Sequence, residues 1–368
     1  MPDSAPAQHF RWNQAKVSCL SVGQSIRRSS CILLVGCIVS SRAVAQDTAS
    51  ATSSQPASPS LTFMRAFSSA DDVRGPLHPV LDRTLDIIAG PKDPTPRLDV
   101  LRSPSAVTTD SNGRIFVADP GAKAVHVFDF VQSKYSLLDK GSDRPGTPVS
   151  VAVDTQDNLY VTDERSRTIL VYDSAGKFRR SLGKLSGGES YFESPAGITI
   201  DPTTGHIYVC DTHRHMIIVM DDRGRLIAKV GKRGGGDQPG EFRLPTQAVV
   251  AGGELFVLDV GNTRIQIFDT ALHFRRAIDL PYADHRTGLA VDGQGNIYVS
   301  DPVLNQIRVF SRERHPQYIF DPSKVKDANF SRPSAMWVHA GFCLYVVDSQ
   351  SNSVGLFQIS GEGARQCR

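Results

Sequence analysis

The stretch Gly288–Phe310, GLAVDGQGNIYVSDPVLNQIRVF, decides the fold. It contains three short apolar runs, separated by the turn Asp292–Asn296 and by a polar loop that follows Asp301. Alternating apolar residues bounded by Gly, Asn and Asp are typical of β-strands joined by turns. The stretch therefore predicts a strand, a turn, a second strand, a loop and a third strand.

The same pattern occurs six times along the chain. Its most regular member is an Asp, which we call the anchor Asp; it recurs at intervals of 42 to 48 residues, with a Val two residues before it and an aromatic residue three before it. The anchor Asp residues are Asp119, Asp163, Asp211, Asp259, Asp301 and Asp348. This period, with four short strands in each unit, is typical of propeller blades. We therefore predict an all-β protein, a six-bladed β-propeller of four-stranded blades.

The last repeat ends before a fourth strand. Fourth strands are predicted at Phe178–Gly183, Leu226–Gly231 and Phe274–Asp279, but the chain runs out soon after the third strand of the sixth blade. A similar segment, TLDIIAG at about residues 84–90, lies near the other end. We expect this N-terminal strand to complete the C-terminal blade and close the ring, which removes an exposed sheet edge.

The first 45 residues resemble a secretory signal peptide. Arg27 and Arg28 precede the apolar run Cys31–Val39, and Ala43-Val44-Ala45 fits a cleavage site before Gln46. The run is too short to span a bilayer as a helix. We therefore expect a secreted or periplasmic protein. An alternative is that Leu34-Val35-Gly36-Cys37 is a lipobox, which would leave the protein anchored at the cell envelope through a lipidated Cys37.

The remaining chain divides by composition. Residues 46–76 are rich in Ser, Ala, Thr and Pro and are predicted to be a flexible linker, residues 77–360 the propeller and residues 361–368 a polar tail. The formal charge of +3 falls to −1 once the leader, which carries a net +4, is removed. A near-neutral protein lacks the basic excess of a general nucleic-acid binder, so we expect no nucleic-acid partner.

Three cysteines follow the leader. Cys210 lies within a predicted strand and is expected to be a core residue. No Cys-x-x-Cys or Cys/His spacing predicts a metal site. Cys343 and Cys367 are candidates for a disulfide that fixes the tail in an oxidising compartment, although the sequence does not give their separation.

Two repeats carry a family resemblance. Ser194–Asp222 and Gly240–Asp269 combine a Gly-rich lead, a Pro that opens the inner strand, a Val-x-Asp and an Asn/His/Arg segment. In these features the chain resembles the NHL repeat family over about 280 residues. The resemblance implies a six-bladed propeller but no single activity, because such folds host many functions. The Asn/His/Arg segment is Ser351-Asn352-Ser353 in the sixth blade, which departs from the pattern.

Strand order predicts where a site would lie. Strands a, b, c and d of a blade alternate in direction, so the b–c loops and the long d–a loops share one face, and function commonly lies in such loops. The b–c loops of the first four blades are cationic, whereas those of blades five and six are uncharged. The candidate ligand-binding residues are Lys123, Arg165, Arg167, His213, Arg214, His215 and Arg264. We expect this part of the rim to bind an anionic or polar ligand.

Two other interpretations concern the same loops. The six anchor Asp residues could form a ring of carboxylates, but their regular recurrence favours a structural role in which each accepts hydrogen bonds from loop N–H groups. His213 and His215, with Cys210 nearby, are metal-ligand types, but no third ligand is evident. We therefore predict no metal and no cofactor.

Related propellers include enzymes, whose catalytic residues can be compared with this chain. The peptide-amidating lyases place zinc-binding His residues after the blade-opening Pro, where this chain has Ser105, Val149, Ala196, Thr246 and Ser334. Neither a lactonase-type acidic motif nor a nucleophile elbow is found. The sequence thus predicts a non-catalytic scaffold, expected to be a monomer, that binds a protein, peptide or glycan. The alternatives are a metal-dependent propeller enzyme (amidating-lyase-like or lactonase-like) and an RNA-binding propeller.

Overall fold

The structure is a computed structural model that describes residues 59–74, 99–138, 144–185, 187–312, 316–325, 330–360 and 367. The described residues form six four-stranded antiparallel sheets, the predicted six-bladed β-propeller. None of the helices in these ranges has the length and apolar character needed to span a bilayer.

The elements follow one another around the ring. The elements before blade one are β1 Ser60–Phe67 and α1 Asp71–Arg74. Blade one contains β2 Ala106–Thr109, β3 Ile115–Asp119, β4 Ala124–Asp129 and β5 Lys134–Leu138. Blade two contains β6 Pro148–Val153, β7 Leu159–Asp163, β8 Thr168–Tyr172 and β9 Phe178–Leu182. Blade three contains β10 Pro195–Ile200, β11 Ile207–Asp211, β12 Met216–Met220 and β13 Leu226–Gly231.

The second half repeats the arrangement. Blade four contains β14 Pro245–Ala251, β15 Glu254–Asp259, β16 Arg264–Asp269 and β17 Phe274–Asp279. Blade five contains β18 Leu289–Val291, β19 Ile297–Asp301, β20 Gln306–Phe310 and β21 Pro316–Phe320. Blade six contains β22 Pro333–His339, β23 Cys343–Asp348 and β24 Ser353–Ser360, to which β1 adds the outer strand. Short 3-10 helices lie at Thr212–Arg214, Val260–Asn262 and Pro322–Lys324.

The core lies between the blades. Strand b of each blade is buried on both faces, so β7 and β11 read as continuous buried runs, whereas outer strands such as β9 alternate exposed and buried residues. Each of six apolar clusters spans two neighbouring blades, from blades one and two round to blades six and one. The stability of a blade therefore depends on its neighbours.

Hydrogen bonds cross every junction between blades as well. Most run from a hydroxyl near the inner strands of one blade to a backbone carbonyl of the next. The pairs are Ser105 Oγ to Val149 O (3.0 Å), Thr162 Oγ1 to Ala196 O (2.7 Å), Thr212 Oγ1 to Pro245 O (2.8 Å), Leu289 N to Gln247 Oε1 (2.7 Å), Ser300 Oγ to Ser334 O (2.9 Å) and Trp337 Nε1 to Thr109 Oγ1 (2.9 Å). These bonds hold the inner strands in one register around the central channel.

An N-terminal strand completes the C-terminal blade, as predicted, but the prediction placed it wrongly. The strand is β1, which pairs antiparallel with β24 from Ser60↔Ser360 to Phe67↔Val354. Residues 84–90, the predicted closing strand, lie outside the described residues. Both segments alternate apolar residues, but β1 carries aromatic rings that pack within blade six and against blade one. Between ring centroids, Phe63 lies 5.5 Å from Phe357 of β24 and Phe67 lies 4.9 Å from Phe128 of β4.

This assignment also changes the predicted linker. Residues 60–67 and 71–74, inside the stretch 46–76, form β1 and α1 rather than a flexible connection. Their Ser/Ala/Pro-rich surroundings hid the strand pattern. At the other end Cys367 forms a disulfide with Cys343, the first residue of β23, which links Cys367 to blade six.

Candidate functional site

The anchor Asp residues end strand b in all six blades and are buried, each with an exposed fraction of 3% or less. Each accepts backbone N–H groups from the d–a loop that enters its own blade, from its own b–c loop, or from both. Asp163, for example, accepts from Gly146 N, Thr147 N and Ser166 N, and Asp348 from Ser331 N and Gln350 N. Asp119, Asp163 and Asp348, which accept from both, thereby connect two loops of the face to each other.

In three blades a polar side chain of strand c also reaches the anchor Asp. These side chains are His126, Gln266 and Arg308, at 3.4, 3.2 and 3.4 Å from Asp119, Asp259 and Asp301 respectively. Burial acts to raise the pKa of Asp119, but the nearby His126 ring and the hydrogen bonds from the N–H groups of Arg102 and Ala122 hold it below its ordinary value. The carboxylate thus stays ionised inside the fold.

The b–c loops share one backbone shape. The fourth residue after each anchor Asp has a positive φ, between 48° and 59°. These residues are Lys123, Arg167, His215, Thr263, Asn305 and Asn352. The left-handed region disfavours residues with a side chain, Asn being the usual exception to this rule besides Gly. Three of the predicted ligand-binding residues, Lys123, Arg167 and His215, therefore occupy a backbone position that costs a residue with a side chain free energy.

Three of the seven predicted residues serve the fold. Arg264 Nε lies 3.0 Å from Asp259 Oδ2, its Nη2 donates to the carbonyls of Gln238 and Glu241, and its side chain is 12% exposed. His215 Nδ1 accepts from Leu244 N at 3.0 Å. These bonds tie the b–c loops of blades three and four to neighbouring d–a loops.

Arg214 is the third. Its guanidinium donates to the carbonyl of Tyr191 and lies 3.6 Å from Asp211 and 3.7 Å from Glu193. Its charge is therefore balanced by carboxylates of the protein. Arg214 also lines a cavity of about 470 Å³ with Arg167, Arg233, Glu189 and Glu193, where acidic and basic groups are mixed.

The other four predicted residues, Lys123, Arg165, Arg167 and His213, are exposed on this face. Lys123 and Arg165 line one cavity of about 480 Å³ at the junction of blades one and two, together with Arg144 and Lys184. We call it the cationic cavity. All four basic side chains are exposed. The cavity is also lined by the carboxylate of Asp163, the buried anchor Asp described above.

The position of Arg165 in this cavity is set by a glycine. A Cβ built on Gly146 would lie 2.8 Å from Arg165 Cδ, so the arginine stem packs directly against the bare backbone. Gly146 N also donates to Asp163. The loop that holds the anchor Asp thereby orients the cation beside it.

Sequence reasoning missed Arg144 and Lys184. Both lie in d–a loops. Because these loops differ in length from blade to blade, the repeat of the anchor Asp does not align them. Their position is the signal that marks them. Arg144 lies shortly before Pro148, where the inner strand β6 begins, and Lys184 lies shortly after Leu182, where the outer strand β9 ends, on the same face.

A second opening lies at the centre of the face. This central mouth is a cavity of about 450 Å³ lined by residues from all six blades, mainly the small and hydroxyl side chains that open the inner strands. Its charged residues are Glu164 of blade two and His285 and Arg286 of the d–a loop before blade five, all exposed. Thr246 also lines the mouth, and its Oγ1 has no hydrogen-bond partner among the described residues.

His285 and Arg286 were also missed by the sequence analysis. Blade five lacks the Pro that opens the inner strand elsewhere, and its lead is instead a turn in which Asp284 accepts from Arg286 N and Thr287 N. This departure from the repeat was visible in the sequence as Thr287-Gly288, and it is the signal that marks the loop.

The cysteine and histidine residues near blade three do not converge. Cys210 is fully buried, and burial raises the pKa of its thiol far above its ordinary range, so it stays protonated. Within the described ranges no group of three or more His, Cys, Asp or Glu side chains has a geometry that holds a metal ion.

Comparison with known proteins supports the architecture. A family model, DUF5128, described as a 6-bladed beta-propeller, matches residues 198–309, which run from blade three to the third strand of blade five. No curated protein matches the sequence.

Solved structures share the fold at low sequence identity. A streptogramin B lyase has a TM-score of 0.51 at 12% identity, covering 71% of this chain and 94% of that chain. A virginiamycin B lyase from Staphylococcus aureus has a TM-score of 0.51 at 12% identity, covering 84% and 90%. A chain of a nidogen/laminin complex has a TM-score of 0.50 at 19% identity, covering 64% and 84%. Since these proteins include both enzymes and a protein-binding complex, the likeness establishes the fold alone.

Proposed function

We propose that this chain is an NHL-type propeller that acts as a non-catalytic binding scaffold. It takes a protein, peptide or glycan on the face formed by the b–c and d–a loops. The observation that carries the proposal is the cationic cavity, where Lys123, Arg144, Arg165 and Lys184 converge with exposed side chains. The ligand therefore presents anionic groups at the junction of blades one and two.

The electrostatics of the cavity favour an external anion. Within the described residues none of its four basic side chains forms an ion pair, in contrast to Arg214 and Arg264 on the same face. The oxygens of Asp163 are occupied by backbone N–H groups. Like charges gathered in one concave site repel one another, and a bound carboxylate or sulfate relieves that repulsion.

The backbone supports the same interpretation. Lys123 is held at a φ of 53°, a backbone conformation that is unfavourable for lysine and costs the fold free energy. A residue kept in such a conformation at a cavity rim is typical of a site that needs its side chain. The predicted leader and the Cys343–Cys367 disulfide both favour an oxidising compartment outside the cytoplasm, and we propose secretion or export to the periplasm.

The test compares two double charge reversals. Lys123→Glu with Arg165→Glu reverses two walls of the cationic cavity. The matched control, Lys177→Glu with Arg223→Glu, reverses one exposed lysine and one exposed arginine in c–d turns on the opposite face. Both variants and the unaltered protein are applied to printed arrays of synthetic peptides and of glycans, with circular dichroism and thermal melting to show that each is folded.

We expect the unaltered protein and the control to bind array features rich in carboxylate or sulfate groups. The cavity variant loses this signal by about tenfold or more, since reversing two cations replaces attraction by repulsion. If the cavity variant binds as tightly as the control and the unaltered protein, the proposed site is refuted. If both variants lose binding, the effect is one of net charge and does not belong to this cavity.

A further inference from the structure

An exposed apolar surface lies on the same face as the cationic cavity. In the b–c loop of blade five Val303 is 65% and Leu304 56% exposed, and in the d–a loop that enters this blade Tyr282 is 37% exposed. Together we call them the apolar sector. The apolar pair occupies the loop positions at which blade two carries Arg165 and blade three carries His213 and Arg214. Neighbouring exposed apolar residues at a rim are typical of an interaction site.

The two loops of the apolar sector meet at the anchor Asp of blade five. Val303 N and Leu304 N both donate to Asp301, which fixes the b–c loop. The Tyr282 hydroxyl donates to Asp284 at 2.9 Å, and Gly288 N, which ends the same loop, donates at 2.7 Å to the Oγ of Ser300, the residue before Asp301. The sector is therefore held by the scaffold.

The apolar sector lies across the ring from the cationic cavity. Within the described residues, the extensive contacts between blades join each blade to the next, in the order one to six and back to one. In a ring of six, the junction of blades one and two is opposite the junction of blades four and five. The Tyr282 loop crosses that second junction, because it joins β17 of blade four to β18 of blade five.

The central mouth connects the two. Glu164, the neighbour of Arg165, lines the mouth from blade two, and His285 and Arg286, from the same loop as Tyr282, line it from blade five. A continuous path on one face thus runs from the cationic cavity, over a polar mouth of about 450 Å³, to the apolar sector.

We infer that the ligand is an extended peptide segment of a partner protein that crosses this face, with acidic side chains in the cationic cavity and an apolar side chain on the apolar sector. This inference rests on the proposed function and narrows its ligand class. A uniformly charged acidic glycan uses the cations but has nothing to place on Val303 and Leu304. A peptide supplies both chemistries at a spacing fixed by its sequence, and its backbone suits the polar mouth.

The probes are fluorescein-labelled synthetic peptides. One series joins a Glu-Asp-Glu block to a Leu-Phe block through Gly-Ser spacers of roughly 4 to 12 residues, which reach about 13 to 40 Å when extended. Two further peptides carry only the acidic or only the apolar block with the same spacer. Heparin serves as the polyanion probe, and binding to the full chain is measured by fluorescence polarisation and by competition.

We expect one spacer length to bind at least about tenfold more tightly than either single block, with weaker binding at shorter and longer spacers. When two sites are engaged together, the second binding step becomes intramolecular, and its effective concentration is highest when the spacer matches the span. Affinity that is independent of spacer length would overturn the inference.

Two double variants test the two ends. Val303→Ser with Leu304→Ser removes the apolar sector, and the single change Val131→Ser is its control, because Val131 is 74% exposed in a c–d turn on the opposite face. We expect the apolar variant to bind the best two-block peptide no more tightly than the acidic peptide. Lys123→Glu with Arg165→Glu is expected to reduce binding to that of the apolar peptide, and Val131→Ser to leave it unchanged.

The outcomes separate this inference from the proposed function. If the acidic peptide or heparin binds in a way that depends on Lys123 and Arg165 but not on Val303 and Leu304, the scaffold function stands and the crossing peptide is refuted. If reversal of Lys123 and Arg165 changes binding of none of the probes, both are refuted.

Discussion

The b–c loops of blades one and two share their backbone conformation with those of blades five and six. The first pair carries basic residues, whereas the second pair is uncharged. In all four a buried anchor Asp begins the loop, and the fourth residue after it has a φ between 51° and 53°. That residue is Lys123 or Arg167 in the first pair and Asn305 or Asn352 in the second. Asn is well suited to this conformation, whereas Lys and Arg are not.

The difference teaches which part of the loop belongs to the fold. In these four loops the anchor Asp accepts from the N–H of the third residue after it, and this bond fixes the shape of the loop. The tip is free to change, and in blades five and six it carries the residue that the shape prefers. Basic tips in blades one and two therefore call for an explanation outside the fold, and ligand binding supplies one.

The largest expected effect comes from breaking the shared part of the loops. Asp259→Ala removes the acceptor of Arg243 N, Arg264 Nε and Gln266 Nε2, at 2.7, 3.0 and 3.2 Å. Loss of one partner of a buried charged pair costs about 3–5 kcal/mol. We expect the free energy of unfolding, measured in urea, to fall by that amount. Glu164→Ala, which removes an exposed carboxylate of the same face, is the control, and a loss below about 1 kcal/mol for Asp259→Ala would contradict the structural role.

A smaller effect separates the cations that belong to the scaffold from those that do not. Arg264→Ala removes hydrogen bonds to Asp259, Gln238 and Glu241 and is expected to cost about 2–3 kcal/mol. Arg165→Ala, at an exposed side chain, is expected to change stability by no more than about 0.5 kcal/mol. Urea unfolding of the two variants side by side gives the comparison. Equal losses would mean that Arg165 also supports the fold.

The smallest effect has the opposite sign. Lys123→Asn places the residue of blades five and six on the left-handed backbone of blade one, and we expect stability to rise by about 0.5–1 kcal/mol. The reverse change, Asn352→Lys, is expected to lower it by a similar amount. If Lys123 serves the ligand, the more stable variant is also the weaker binder of acidic probes, and a variant that loses stability would show that the lysine has a structural role.

The fold was predictable because the repeat supplies six readings of one pattern. Strand ends, anchor Asp positions and closure by an N-terminal strand all follow from that register. The location of the closing strand did not, because TLDIIAG at 84–90 and Ser60–Phe67 alternate apolar residues equally well. Only packing distinguishes β1, whose Phe63 and Phe67 meet rings from β24 and from blade one.

The candidate site was predictable only in the loops that share a register. Lys123 and Arg165 lie in b–c loops, within a few residues of their anchor Asp, and were found. Arg144, Lys184 and Arg286 lie in d–a loops of unequal length and were missed. Arg264 was assigned to the rim because its partners, the carbonyls of Gln238 and Glu241, come from a loop more than twenty residues away. The sequence shows a charge but not the groups that neutralise it.

The pairing of β1 with β24 has a consequence for the timing of folding. Ser60 and Ser360 are partners although 300 residues separate them along the chain. Bringing together the ends of so long a segment costs about 5 kcal/mol of chain entropy, which must be met before the aromatic contacts of blade six form. β1 therefore finds its place only after β24 has left the ribosome, and until then blade six lacks its outer strand.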